Sequence, residues 1–208
     1  MSDVIPKQSP LVAFDEQQHV VDGSSPVLIT EYPFQGYHNL RLDIEAIAET
    51  SRSSDNVEIA GIKLPLVPNR VIHNLDGDNT VTAYWLGPDE WLMANVDENT
   101  VDQFDAMEHA LTNSFHSLTN ISSAMTRIHL GGDCAVEILS QGTTFDIDER
   151  SFTVDACAQT MLAKSSVLIA RATSGFDLLV RRSFADYLLR WLLDAAHHTG
   201  FEFRRASR

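Results

Sequence analysis

Eight histidines, two cysteines and several close pairs of aspartates are the side chains from which this 208-residue chain could build chemistry. His197 and His198 are adjacent on a predicted helix and diverge by about 100°, so they cannot share one metal ion. His109 and His116 are seven apart, roughly 10 Å along a helix axis if both are helical, which is too far for one ion. Asp146 and Asp148 alternate on an extended stretch, and Asp76 and Asp78 flank a turn glycine, as turn chemistry alone requires. Cys134 and Cys157 have no paired metal-ligand spacing and give no disulfide framework; they read as small buried thiols. Gly131-Gly132 stands between a strand and a helix without the third glycine of a dinucleotide fingerprint or the Lys-Ser/Thr of a phosphate loop, and reads as a tight turn. No serine occupies a nucleophile elbow, and no HExxH or EF-hand series occurs. Arg181-Arg182 could bind an anion, but at a helix start they are expected to pair with acidic neighbours. No recognisable active-site motif is present.

The elements that would position any site centre on residues 176–200, FDLLVRRSFADYLLRWLLDAAHHTG. Phe176 to Val180 is a short apolar strand. Ser183, with Asp186 three positions on, predicts a capping box, and Gly200 predicts the helix C-cap. Phe184, Tyr187, Leu188, Trp191, Leu192 and Ala195 recur at the spacing of one buried face, which Leu189, Leu193 and Ala196 widen. Such a helix needs cover on more than one side. That cover is either a sheet and a neighbouring helix of the same chain or a second protein.

Charge is unevenly placed. Residues 1–120 hold 5 Lys/Arg against 19 Asp/Glu, whereas residues 121–208 hold 10 against 10, so the whole net charge of −14 lies in the first part. An acidic half repels phosphate backbones and argues against nucleic acid as a partner. It serves either solubility or docking to a basic surface. No run of eighteen apolar residues occurs, so no membrane span is expected. The N-terminus lacks a basic flank and an apolar signal core, which predicts a cytoplasmic protein.

Residues 1–26 are predicted to be an extended arm, with Leu11, Val12 and Phe14 able to pin it to a neighbouring chain. Val27 to Tyr32 is a strand; Leu40 to Thr50 is a strand or a short helix. Val57 to Leu66 reads as a brief helix or loop followed by an extended segment. Asn74 to Thr80 is a turn, and Val81 to Asn95 is a hairpin around Gly87-Pro88, with Trp85 and Trp91 near its end. Thr100 and Gln103 predict a second capping box, opening a helix whose apolar face is Val101, Phe104, Met107 and Leu111. Met125 to Leu130 is a strand leading to a helix that Asp133 would cap and Gly142 would close. Two strands follow around Lys164-Ser165. The order of turn, strand, capping box and helix occurs twice, about ninety residues apart, and predicts two related α+β halves. The expected division is an arm (1–26), a first half (27–120) and a second half (121–208), packed as one unit. Leu11, Phe14, Trp85, Trp91, Leu189 and Leu193 are the apolar residues assigned to a partner interface.

WLGPDEWLM (85–93), ACAQTMLAKSSVLIARA (156–172) and FDLLVRRSFADYLLRWLLDAA (176–196), with RIHLGGDCAVEILSQGTTFDID (127–148), resemble the gamma subunit of bacterial heterotetrameric sarcosine oxidase. The resemblance covers roughly residues 57–200. It implies a fold similar to the folate-binding domain of aminomethyltransferase, two ferredoxin-like halves, and a non-catalytic subunit that binds no cofactor or metal. The implied partners are alpha and beta subunits carrying NAD, FAD, covalent FMN and the tetrahydrofolate site, with a zinc-binding delta subunit as a further candidate. The implied reaction oxidises sarcosine to glycine, passes the methyl carbon to tetrahydrofolate and forms hydrogen peroxide. Membership of a related N-methylglutamate dehydrogenase complex is the first alternative. The second is an independent folate-binding protein, which would need a carboxylate beside a pterin pocket, with Asp89 or Glu90 as the candidate.

Overall fold

The structure, a computed structural model, describes residues 7–23, 26–47, 51–76, 79–95 and 102–206. Among the described residues, period-two alternation and turn residues build fourteen strands, most of them joined by tight connections. Strands β1 (Gln17–His19), β2 (Val27–Tyr32), β10 (Met125–Gly131), β11 (Cys157–Leu162), β12 (Ser165–Ala172), β13 (Gly175–Arg181) and β14 (Phe201–Arg205) form one sheet in the order β1-β14-β2-β10-β13-β12-β11. Every neighbouring pair is antiparallel except β14 and β2, which run parallel. Strands β3 (Gly36–Leu42), β6 (Val71–Asp76), β7 (Asn79–Gly87), β8 (Glu90–Asn95) and β9 (His116–Asn120) form an antiparallel second sheet in the order β6-β7-β8-β3-β9. The expected boundary between halves is therefore crossed, because β2 pairs with β10 and β14 and not with the first half. Pairing satisfies its backbone polar groups in the seven-stranded sheet.

Two further strands, β4 (Asn56–Ile59) and β5 (Ile62–Pro65), form a separate hairpin. This corrects the helix or loop expected at Val57. Ala60 and Gly61, both at positive φ, make the turn that matches strand twist, and Val57, Ile59, Ile62 and Leu64 alternate inward. The Leu40 region resolves as β3 followed by a short 3-10 turn at Ile44–Ala46.

The layers follow from the alternation. Helices α2 (Ala135–Ser140) and α3 (Arg182–Ala195) cover one face of the larger sheet over Ile29, Ile128, Ile169 and Leu178. Helix α1 (Asp102–Ala110) and the β4–β5 hairpin cover the outer face of the smaller sheet over Leu40, Val81, Trp91 and Met93. Between the sheets lies a third core, with Tyr37, Tyr84 and Leu92 meeting Cys157, Leu168 and Leu179. Strands such as LLV at 178–180 are apolar without alternation because both of their faces are covered.

Helix α3 exists where the sequence places it, but rotated. Its buried face is Ala185, Leu188, Leu189, Leu192 and Ala195, continued by Ala196, while Phe184 and Tyr187 are exposed. The small alanines let the helix lie close on β10 and β13, and the bulky rings are left on its flank. Arg181 occupies the N-cap without a side-chain bond, and Asp186 pairs with Arg190 along the helix, so the Ser183 capping box is not formed. Cys134, not Asp133, precedes α2. Thr100 and Val101 lie outside the described residues, while Phe104, Met107 and Leu111 are buried as expected. Gly142 has a packing role: a Cβ there would lie 2.5 Å from the Trp191 ring.

Ser183→Ala should therefore change stability by less than about 0.5 kcal/mol, as for a surface position. Gly175 is the contrasting case, at φ +142 with a built Cβ only 2.2 Å from the Leu130 carbonyl oxygen. Gly175→Ala should cost on the order of 3 kcal/mol or more, from strain and overpacking together. Gly23, at φ +79 with open space around it, should cost only about 1–2 kcal/mol as alanine. Urea denaturation of the three variants checks this ranking.

Candidate functional site

Of the six residues assigned to a partner interface, three are consumed inside the chain. Leu11 and Leu189 are fully buried in the core between α3 and the larger sheet. Trp91 is fully buried beneath the β4–β5 hairpin, where its indole Nε1 donates to the Pro65 carbonyl at 2.7 Å. These side chains face their own sheets, so they cannot face a partner. Phe14 and Leu193 are half-buried against the first core, and the Arg190 guanidinium lies 4.7 Å over the Phe14 ring. Trp85 is half-buried on β7. The structure does not gather the six into one patch. The most exposed large apolar residues among the described ones are different: Phe115 at 89%, Leu75 at 77%, Val20 at 65% and Val12 at 54%, with Met161 at 49% and Phe184 at 44% also exposed. Phe115 immediately precedes β9, an edge strand of the smaller sheet, but no periodicity surrounds it that would have marked it in the sequence.

A cleft of about 480 Å³ opens between the sheets, with Leu92, Ile121, Met125, Leu168 and Leu179 in its walls and Glu90 at its side. Glu90 pairs with β3, accepting from Asn39 Nδ2 at 2.9 Å and from Arg41 Nη2 at 2.8 Å. The Asp89 carbonyl accepts from the Leu42 N–H. Both candidate carboxylate residues thus serve the hairpin end, and of the two only Glu90 lines the cleft.

Polar groups collect beside the inter-sheet core. Asp177 on β13 accepts from His129 Nδ1 at 2.9 Å and pairs with Arg127 at 3.3 Å, both on β10. Burial pushes the Asp177 carboxyl pKa up, but the His129 hydrogen bond and the Arg127 charge outweigh it and hold it below the ordinary range. Arg127 also stacks over the Tyr32 ring at 4.1 Å. Ser174 Oγ lies 3.5 Å from His129 Nε2, a Ser–His–Asp row whose first link is longer than a working nucleophile–base bond. With Arg127 on the second Asp177 oxygen, the row acts as a clamp between β10 and β13. Cys157 faces the same inter-sheet core, and burial pushes its thiol up to about 12, leaving it an unreactive thiol. Three of the histidines pack on aromatic rings: His38 stacks on Phe104 with its pKa lowered by burial, and His19 and His197 stack on each other at 4.3 Å.

A second buried carboxylate organises the chain ends. Glu31 on β2 has no solvent exposure, accepts from Ser9 Oγ at 2.5 Å and meets Arg205 Nε at 3.3 Å. Burial raises its pKa, opposed by the Ser9 bond and the charges of Arg205 and Arg182. Arg205 also donates to the Leu11 and Phe14 carbonyls, and Arg182 donates to the Gln8 carbonyl. The described part of the arm expected to reach a neighbouring chain, residues 7–23, is bound to its own chain at Gln8, Leu11 and Phe14.

The profile of the sarcosine oxidase gamma subunit family matches residues 52–198, and the chain belongs to that family. It is 27% identical over 176 residues to the sarcosine oxidase subunit gamma of Corynebacterium sp. strain U-96, covering 84% of this chain and 82% of the relative. The same subunit of Corynebacterium sp. strain P-1 is 25% identical over 156 residues, 74% of each chain. Among solved structures, a chain of the heterotetrameric sarcosine oxidase from Corynebacterium sp. U-96, in complex with pyrrole 2-carboxylate, superposes with a TM-score of 0.76. Its identity is 25%, over 92% of this chain and 96% of that one. The glycine cleavage system aminomethyltransferase T of Bartonella henselae shares the fold alone, with a TM-score of 0.66 at 12% identity, over 95% of this chain and 59% of that one. The chain thus has the α+β fold of an aminomethyltransferase.

The Asp177 clamp fixes a pH dependence. A carboxyl held below its unfolded value stabilises the fold above about pH 4 and loses that contribution as pH falls through the lowered value. Asp177→Asn should cost about 1.5–3 kcal/mol at neutral pH, the worth of hydrogen bonds to a charged group. The gap between variant and wild type should close as the pH is lowered. Urea midpoints across pH check this, and a gap that stays constant would refute it.

Proposed function

We propose that this member of the sarcosine oxidase gamma subunit family is a non-catalytic assembly subunit of a heterotetrameric sarcosine oxidase, working in the cytoplasm. The observation that carries this reading is the superposition over nearly the whole of both chains on a subunit of such a complex. In this reading the partners are alpha and beta subunits, with delta as the fourth chain. They hold FAD, FMN, NAD, tetrahydrofolate and zinc, and oxidise sarcosine to glycine with the methyl carbon passed to tetrahydrofolate. This chain supplies shape and apolar area. Phe115 beside edge strand β9 and the half-buried Trp85, Leu193 and Phe14 are the contacts it offers, and an edge strand can add backbone hydrogen bonds to a partner. A related complex acting on N-methylglutamate would use the same subunit in the same way.

Co-expression with alpha, beta and delta chains should give one particle containing all four on size exclusion. Phe115→Asp should weaken that association by about tenfold or more, as for an interface anchor, while shifting the stability of the isolated chain by less than about 0.5 kcal/mol. A chain that elutes alone beside its candidate partners would contradict the reading.

A second reading, an independent folate-binding protein, is favoured by one observation: the 480 Å³ cleft with Glu90 in its wall is of ligand size. Titration of the purified chain with tetrahydrofolate decides it, since saturable fluorescence quenching lost in Glu90→Gln supports it and an unchanged signal removes it.

A further inference from the structure

We infer that the outer edge of β11, with the cleft beside it, takes an extended acidic segment of a partner subunit as an added strand. This deepens the assembly reading and rests on it. In an antiparallel pair, alternate residues turn their backbone groups toward and away from the neighbour. The Cys157 N–H points away from β12 and donates to the Asn69 carbonyl at 2.9 Å, and the Ala163 N–H donates to the Gly142 carbonyl at 2.8 Å. Gln159 and Met161, at the same parity between them, therefore aim their N–H and C=O groups outward as well. Among the described residues no backbone group bonds to either, and β12 is the only strand beside β11 in its sheet.

This open stretch carries none of the devices that close an edge. CAQTML at 157–162 has no charge and no proline, and its register on β12 runs without a bulge. Gln159 and Met161 are exposed, on the same side of the sheet as Cys157, which faces the inter-sheet core. That side opens here into the 480 Å³ cleft, whose walls include Met161, Met125 and Leu179. The Gln159 amide donates to the Leu86 carbonyl at 2.8 Å, which ties β11 to β7 and fixes the cleft beside the edge. An added strand gains backbone hydrogen bonds from the edge and an apolar recess for one of its alternate side chains.

Geometry and charge select the occupant. Asn69 and Gly142 bracket the open stretch, which spans about 20 Å at roughly 3.3 Å per residue. The β11 strand of a second copy is bracketed in the same way, so two such edges cannot meet, whereas a free extended segment fits between the brackets. Lys164, in the turn that ends β11, and Arg181, in the cleft wall, are both exposed and have no carboxylate partner among the described residues. Glu90, the acid of that wall, is already taken by Asn39 and Arg41. A segment bearing carboxylates matches the two free cations, and complementary charge sets which partner and which register are accepted.

Hydrogen exchange of the isolated chain, set against the particle formed on co-expression with alpha, beta and delta chains, tests this surface. The Gln159 and Met161 amides should exchange freely in the chain alone and slow by about tenfold or more in the particle. Met161→Pro removes one outward N–H where an edge strand tolerates proline, and should weaken assembly by about tenfold or more. Met161→Asp keeps the N–H but sets a carboxylate against the incoming acid; it should weaken assembly similarly, and serves if the proline variant does not fold. Amides at 159 and 161 that exchange alike in both forms, or folded variants that assemble as the wild type does, would overturn this surface and leave the assembly reading standing. If no particle forms, both fall.

Discussion

A carboxylate with no contact with water holds the two ends of this chain together. Ionised and unpartnered, Glu31 would cost several kcal/mol in such a place. The fold supplies a hydroxyl from the arm and a guanidinium from the last strand, with a second guanidinium nearby from the long helix. The same arginines then take the carbonyls of Gln8, Leu11 and Phe14. Strand β14 can therefore lie parallel to β2, strand β1 can pair with β14, and Leu11 can enter the core under α3. The raised pKa of Glu31 shows that burial outweighs these partners, so its stabilising contribution is largest when protonated and declines as pH rises through the raised value.

The chain forms four layers, with helices and the β4–β5 hairpin outside and two sheets packed face to face within. The arrangement buries three of the six apolar residues that looked available for a partner. Trp91 is sealed by the β4–β5 hairpin and Leu189 by the sheet below its helix. The large apolar side chains still exposed among the described residues lie at the margins, among them Phe115 beside an edge strand and Phe184 and Tyr187 on the flank of α3.

The sequence was legible where the signal is local. The β7–β8 hairpin, strand β10, strand β13 and the start of α3 stand where Gly87-Pro88, the alternation and the apolar spacing put them, whereas α3 closes at Ala196 and not at Gly200. Which face of α3 is buried was not legible, because leucines and aromatics nearly encircle it. The choice fell to Ala185 and Ala195, whose small size lets the helix approach the strands. The caps at Ser183 and Asp133 failed because each helix begins next to the expected residue, and side-chain capping needs the right position as well as the right type. The partnership of Glu31 with Arg205 spans almost the whole chain, and spacing carries no trace of it.

The claim that bears most directly on how this subunit assembles is that its arm belongs to its own body. Native-state hydrogen exchange of the isolated chain measures it. Amides of residues 17–19 should be protected and should open together with those of 201–205 in one cooperative unit. Free exchange across residues 8–19 in the isolated chain, with protection appearing only when partner subunits are added, would contradict the account.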